Sequence, residues 1–541
     1  MVVVGINGGV RLGYQDIAAV LMVDGKLVAA VEEERINRIK HSPAQLSFLS
    51  IKEVLRIAGL RFEEVNIIAT HGETWGNEFP TRLRDYFKFN FGSCPEIRIY
   101  HHHDCHAASA YFASGFSDSM LLSLDSSGDG ISVQLSIGKQ GRMKVAKRIA
   151  RPDSFGIFYS LVTQFCGFLR DTDEYKLMGL SSYGNRTKFD FSSVIDYRTG
   201  ELKLNSDYIK KIEPGQPQPT RQEKLFTEKF EKEFGNARIY GTPLSDVYKD
   251  IAASAQAHFE KILVALITDF HQETGLKNIC LAGGVALNCA ANQKIANLPF
   301  IENFFVQPVS SDAGISLGAA YLATVDEGIS VQPMQDVYLG ASYTNDEVKA
   351  LLDKMNLRYK PLNDATSEAA RLINEEKVIG WMNGRMEFGP RALGNRSILA
   401  NPAADNIQQK VNQKIKFREG FRPFCPSVLE EDAPLYFEGK PTVSPYMTIN
   451  FNATQLAKEK INGVIHVDGT ARIQTVNRKR SPQYYSLLQN LKQYTGTGVV
   501  LNTSFNRNNE PIVCNPVDAV SSFFGCGLDY LIIEDFLVSK I

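Results

Sequence analysis

Four of the nine histidines fall between positions 101 and 106, in His101-His-His-Asp-Cys-His106. On a helix, His102 and His106 would stand one turn apart on one face, so that both imidazoles could reach the same point. The apolar run Met120-Leu-Leu-Ser-Leu124 reads as a strand, and Asp125 at its end can carry a carboxylate to the same rim. Imidazole with carboxylate suits a divalent cation, and the glycine turn that follows, Asp125-Ser-Ser-Gly-Asp129-Gly, is of a size to face a phosphate. A satisfied or solvated histidine cluster is the plainer alternative. Of the eight cysteines, scattered and without a CxxC pair, only Cys105 lies where it could join the ligands.

Three further groups carry chemistry. In Asn278-Ile-Cys-Leu-Ala-Gly283-Gly284-Val-Ala-Leu-Asn288 a strand meets a glycine turn and a helix start, which lets a backbone approach a nucleotide closely. Asp312, before a helix rich in small residues, is either an N-cap or a third metal carboxylate. Basic, glycine-rich segments then recur: Asn383-Gly-Arg385 through Arg391 to Arg396, Lys416-Phe-Arg418 to Arg422, and Thr470-Ala-Arg472 with Arg478-Lys-Arg480. Val499-Val-Leu-Asn502-Thr-Ser504-Phe-Asn506 ends a strand in hydrogen-bonding side chains. Arginine forks bind planar oxyanions in bidentate fashion, so one pocket lined by this set would suit a small phosphate or carboxyl phosphate. A solvated face is the alternative for any single arginine.

The elements that must position these groups follow from pattern. Residues 1–9 read as a buried strand entering a tight turn, and Asp24-Gly25 joins two β-rich runs as a hairpin. The same order of strand, glycine turn and hairpin returns over 120–148, a loose internal duplication. Two such meanders with helices between them are what an actin-like nucleotide-binding fold requires; two unrelated meanders would look the same. Residues 151–185 alternate charges and glycines, 195–240 form a polar insertion, 246–274 carry helical periodicity, and a domain boundary falls near 355. The chain has 541 residues, 44% of them hydrophobic and 22% charged, with a net charge of -1. That balance argues against a polyanion or a membrane surface as partner and favours a small substrate. With no signal-like start and no long apolar run, a cytoplasmic place is expected.

The motifs His102-His103-x-x-His106-Ala-Ala-Ser-Ala, Glu174-Tyr-Lys-Leu-Met-Gly-Leu, Gly283-Gly-Val-Ala-Leu-Asn288, Gly384-Arg-Met-Glu-Phe-Gly-Pro-Arg-Ala-Leu-Gly-Asn-Arg-Ser397, Phe417-Arg-Glu-x-Phe-Arg-Pro-Phe424 and Leu501-Asn-Thr-Ser-Phe-Asn506 occur in order along the chain. Together they resemble the O-carbamoyltransferases of the nodulation-protein and antibiotic-tailoring, tobramycin-type family. The resemblance implies an α/β chain with a duplicated actin-like (ASKHA, Kae1-like) part at 1–355, binding ATP and an iron-like or magnesium ion. It implies a YrdC/Sua5-like α/β part at 356–541 that binds carbamoyl phosphate. Carbamoyl phosphate would lose phosphate, the carbamate would pass internally, and ATP would convert it to carbamoyl adenylate for transfer to a hydroxyl. By motif, His102, His106, Asp125 and Asp312 would hold the metal, with Asp129 a rival to Asp125. Gly283, Gly284 and Asn288 would lie by the nucleoside, Lys176 near them. Lys416, Arg418, Arg472, Ser504 and Asn506 would hold carbamoyl phosphate, with Arg385 and Arg391 behind them and His106 and Arg418 closest to the chemistry. Where the family carries His-Asp after the first strand, this chain carries Gln15-Asp16. Glutamine cannot accept a proton near neutral pH, so His103 or Asp16 would have to act as base.

Related two-fold chemistries fit less well. Hydrogenase-cyanide maturation would call for zinc CxxC motifs, and threonylcarbamoyl-adenylate chemistry on tRNA for a basic face. A regulatory ATP-binding protein would explain Gln15 but not the arginine set, and a sugar kinase would leave 360–541 without a role. The acceptor hydroxyl, on a small molecule, is not readable, and the assembly is not fixed, a homodimer being compatible with the residues.

Overall fold

A computed structural model describes residues 1–8, 16–210 and 221–540, so Gln15 and the middle of the polar insertion lie outside the described residues. By internal contacts these fall into two units. One comprises 1–8, 16–66 and 334–540; the other runs from Ile67 to Pro333. This grouping cuts across a boundary near 355, because the first meander is tied to later chain: Ala30 N–H donates to Leu339 O, and the Arg385 guanidinium donates to Val28 O and Leu339 O.

In the first unit β1 (Val2–Ile6), β2 (Ala18–Val23) and β3 (Lys26–Glu32) form an antiparallel meander. Asp24 and Gly25 both take positive φ, 48° and 76°, the pairing that a tight two-residue hairpin needs. The other unit opens with a parallel pair, β4 (Ile67–His71) and β5 (Glu96–Tyr100). It continues with a second antiparallel meander, β6 (Asp118–Gly128), β7 (Ile131–Lys139) and β8 (Arg142–Ala150). A small hairpin, β9 (Ile195–Arg198) with β10 (Glu201–Leu204), belongs to the polar insertion. After the long helix Asp246–Thr274, β11 (Asn278–Ala282) and β12 (Asn303–Val306) complete the sheet β12-β11-β6-β7-β8. Meander followed by parallel strands thus occurs twice, the duplication that an actin-like fold requires, and the chain is of the α/β class.

Residues 334–540 build a mixed sheet. Its strands are β13 (Tyr359–Pro361), β14 (Ile379–Met382), β15 (Arg396–Ala400), β16 (Cys425–Leu429), and, after three short strands between Phe437 and Arg472 counted as β17–β19, β20 (Gln474–Val476), β21 (Val499–Ser504), β22 (Tyr530–Ile533) and β23 (Phe536–Val538). The motif around 384–397 turns out to be largely scaffold. Arg396 is fully buried and donates to the carbonyls of Ala341, Asn383, Gly384 and Asn395, while Glu387 accepts from the N–H groups of Leu393, Asn395 and Arg396. A buried charge persists only when its donors are spent in this way.

The close approach of two helices in the second unit sets up the site. Helix His102–Ser114 lies against helix Ala313–Asp326, and a Cβ on Gly318 would stand 1.7 Å from Cys105 O. Gly318→Ala should therefore force the helices apart, costing about 1–3 kcal/mol as overpacking does. Because Asp312 starts one helix and His102 and His106 ride on the other, the same variant should weaken metal binding. A lowered melting temperature with unchanged metal affinity would contradict that coupling.

Candidate metal centre and anion cradle

His102 and His106 do lie one turn apart on the helix His102–Ser114, and both are buried. His101 precedes the helix in extended conformation and its Nδ1 accepts from His103 N–H, a cap that fixes where the helix begins. Asp125 sits on β6, and Asp312 at the entrance of helix Ala313–Asp326. Asp312 occupies an N-cap position, yet its φ of -57° is already helical and its side chain caps nothing. Instead the carboxylate turns to the histidines. His102 Nε2 is 3.1 Å from Asp125 Oδ2 and 4.0 Å from Asp312 Oδ1; His106 Nε2 is 3.5 and 3.7 Å from the same atoms. One donor atom from each residue lies within 4.8 Å of the others.

These spacings fit a bound ion. Ligand bonds of about 2.0–2.2 Å put neighbouring donors roughly 3.0–3.6 Å apart, which is longer than most hydrogen bonds, and the buried His106 Nε2 has no hydrogen-bond partner among the described residues. Burial alone would depress the His106 imidazole, but the two carboxylates outweigh it and lift its pKa to about 9. Burial also opposes ionisation of Asp125, yet His102 and His106 hold it below the usual carboxylate range. A metal must therefore displace a proton. Loading the protein with a divalent ion at neutral pH in weak buffer should acidify the solution, and affinity should climb as pH rises through about 9 and level off above it, once His106 is neutral without the metal. Binding without proton release would contradict His106 as a ligand.

Other residues expected at this site are engaged elsewhere. Asp129 accepts from Thr74 Oγ1 at 2.7 Å and from His102 N–H at 2.8 Å, so its carboxylate is engaged at the start of the helix, outside the four-residue cluster. His103 points the other way, with Nδ1 2.6 Å from Ser123 Oγ and Nε2 3.0 Å from Ile131 O; burial pushes its pKa well down, and with both nitrogens engaged it does not suit a base. Cys105 is fully buried outside the cluster. Asn288 caps the helix Cys289–Ala296 and exchanges amide hydrogen bonds with Gln256, leaving little of it for a nucleoside. Lys176 pairs with Asp173 at 3.1 Å. The glycine turn does border the cluster. Gly283 takes φ 90° with a would-be Cβ 2.2 Å from Leu124 O, and that of Gly284 would lie 3.4 Å from Asp125 Oδ1.

The second site lies in the other unit. Lys416 is buried, and the three N–H donors of its Nζ are shared among four acceptors, Ser504 O at 2.7 Å, Asn506 O at 2.9 Å, Asn506 Oδ1 at 2.5 Å and Ser504 Oγ at 3.2 Å. All four acceptors are neutral, so they fix the ammonium without cancelling its charge. Burial, with Arg418, Arg422 and Lys40 nearby, holds its pKa well below the ordinary lysine value. Arg418 bonds Asn412 Oδ1 at 2.7 Å and lies over the Phe424 ring, while Arg472 lies 3.1 Å from Cys425 Sγ. Cys425 faces Asn502 across β16 and β21, which brings both arginines to the edge that carries Ser504. Arg391 is half-buried on the loop before β15, and Arg385 is spent on the carbonyls of Val28, Leu339 and Gly340. Arg422, from the basic set, and Lys40, which no motif carries, both act electrostatically on Lys416. Lys40 is exposed, and its pKa is lowered, by desolvation first, with Glu34, Arg35, Asp16 and Arg422 among the charges acting on it. The dense charged run Glu32-Glu-Glu-Arg35 to Arg38-Ile-Lys40-His41 was the available signal.

Comparison with known proteins supplies the last observation. Residues 88–321 match the family model described as Carbamoyltransferase N-terminus, and 370–540 the one described as Carbamoyltransferase C-terminus. An uncharacterized protein of Synechocystis sp. is 35% identical, over 98% of this chain and 96% of its own. Nodulation protein NolNO of Sinorhizobium fredii is 35% identical over 100% and 83%, and nodulation protein NolO of Bradyrhizobium diazoefficiens 35% over 81% and 78%. Among solved structures, the activator of the 2-hydroxyisocaproyl-CoA dehydratase from Clostridium difficile with bound ADPNP aligns over 61% of this chain and 96% of that one, with 14% identity and a TM-score of 0.35.

Proposed function

This chain belongs to the carbamoyltransferase family, and on that premise we propose that it moves the carbamoyl group of carbamoyl phosphate, at the expense of ATP and through carbamoyl adenylate, to a hydroxyl of a small natural product. ATP and metal are assigned to residues 1–355 and carbamoyl phosphate to 356–541. The observation that carries this reading is the pairing of chemistries within one chain: a four-ligand cluster bordered by the bare Gly283-Gly284 turn, and a separate cradle of cations around Lys416.

His102, His106, Asp125 and Asp312 would hold the ion, which would supply positive charge to the phosphates as pyrophosphate leaves. Gly284 keeps a side chain out of the space beside Asp125, and Gly283 lets the turn pass close against the Leu124 backbone, so a polyphosphate can come close. In the cradle, the Lys416 ammonium is oriented by Ser504 and Asn506 before any anion arrives, which lowers the reorganisation cost of binding it. Arg418, Arg422 and Lys40 add charge at the rim. Carbamate decomposes readily in water, so chemistry of this kind is best carried out away from solvent. The test is to supply ATP, carbamoyl phosphate and a panel of polyols and amino sugars and to look by mass spectrometry for a carbamate ester. An ester that needs both co-substrates supports the reading; one formed without ATP refutes it.

A further inference from the structure

The loop after β3 contains a polar pair that the reading above leaves unused. Following the short helix Glu33–Asn37, Arg38, His41, Ser42 and Ala44 take φ values of 63°, 64°, 39° and 57°, and Asp16 takes 58°. Non-glycine residues hold such angles only where the surroundings over-determine them. Here they do. His41 N–H donates to Glu34 Oε2 at 2.6 Å, and Asp16 N–H donates to His41 O at 2.8 Å. His41 Nδ1 lies 2.6 Å from Asp16 Oδ1. An ionised carboxylate only accepts, so Nδ1 carries the proton and Nε2 presents its lone pair. That Nε2 is buried and has no hydrogen-bond partner among the described residues.

The same loop is pinned to the cradle. Arg38 donates to Pro511 O at 2.8 Å and Ile512 O at 2.7 Å, while Asn506, which holds Lys416, donates to Glu510 O at 2.6 Å. Loop and ammonium thus share one support, residues 506–512. Lys40, next to His41, lies in the fields of both Asp16 and Arg422.

We propose that His41, oriented by Asp16, is the general base of the step in which carbamoyl phosphate loses phosphate. This rests on the reading that the Lys416 cradle takes carbamoyl phosphate. A water oxygen bonds to the carbonyl carbon while Nε2 takes one of its protons. The bond from that carbon to the phosphate oxygen then breaks, its electron pair leaving with phosphate, which recovers the proton from Nε2. The carbamic acid left behind gives its own proton to solvent and departs as carbamate. An Asp-held histidine is competent for this because its tautomer and orientation are set beforehand.

The experiment follows phosphate release from carbamoyl phosphate without ATP, above the enzyme-free background. His41→Gly suits the positive φ at this position and leaves room for free imidazole. Release should fall about 10²–10⁴-fold, recover in part with added imidazole, and leave binding of inorganic phosphate unchanged. Asp16→Asn, a second variant should the first fail to fold, should lower kcat with little change in KM. Release retained in His41→Gly overturns the proposal alone, as does a loss that imidazole cannot restore in a folded protein that still binds phosphate. No release by the unaltered protein overturns both this proposal and the reading of the cradle on which it rests.

Discussion

His106→Ala is expected to abolish metal-dependent turnover of ATP while leaving phosphate binding in the cradle intact. The imidazole is fully buried, faces both carboxylates and supplies one of four converging donors. Charge stabilisation by a bound cation contributes several kcal/mol to reactions of this kind, so the fall should be about 10³-fold or more. Metal affinity, measured by titration, should fall with it. Asp129→Asn provides the contrast. Its carboxylate secures Thr74 and the helix start, so it should disturb stability and leave the metal nearly as tightly bound. Equal losses of affinity in the two variants would show that the ligand set has been drawn wrongly.

Lys416→Met is expected to have the second large effect, on carbamoyl phosphate and not on ATP. Removal of one preorganised donor from a site where charge develops costs roughly 10²–10³-fold in kcat. The fold should tolerate the change, because burying the ammonium is itself unfavourable, as its strongly lowered pKa records. The sign of the pH effect follows. The cation that an anion needs is present below the lowered pKa of Lys416 and is lost as pH rises through it. Affinity for inorganic phosphate should therefore weaken with rising pH in the unaltered protein, and that dependence should shrink in the variant. A titration showing the same pH dependence in both would place the responsible cation elsewhere.

The two sites were not equally legible in the sequence. The His102–His106 pair could be read because helix geometry converts a spacing of four into a shared face, and Asp125 because an apolar run ends just before it, although β6 itself continues to Gly128. Asp312 stayed ambiguous since an N-cap and a ligand look alike in one dimension; its helical φ and the absence of a cap bond from its side chain speak against the N-cap. Asp129 and His103 find other partners for a common reason. Each is next to a ligand along the chain, but β6 runs on through Gly128 and turns the Asp129 carboxylate back to the helix start, while one step along the helix swings His103 onto Ser123 and Ile131. Arg385 has the composition of an anion ligand, and only three distant carbonyls show that it ties the meander to later chain.

The duplication was visible as a repeated order of strand, glycine turn and hairpin, since turn residues and apolar runs are local signals. The grouping of the first meander with residues 334–540 was not, because it depends on pairings more than three hundred residues apart. Lys40 and His41 were not singled out for the same reason. In sequence they are polar residues in a loop; in space Lys40 acts electrostatically on Lys416, and Arg38 of the same loop donates to Pro511 O and Ile512 O.

The most direct measurement is product analysis after the metal-loaded protein is given ATP and carbamoyl phosphate together. AMP and pyrophosphate are expected, formed only when carbamoyl phosphate is present and lost in both His106→Ala and Lys416→Met. ADP as the nucleotide product, or pyrophosphate released without carbamoyl phosphate, would contradict it.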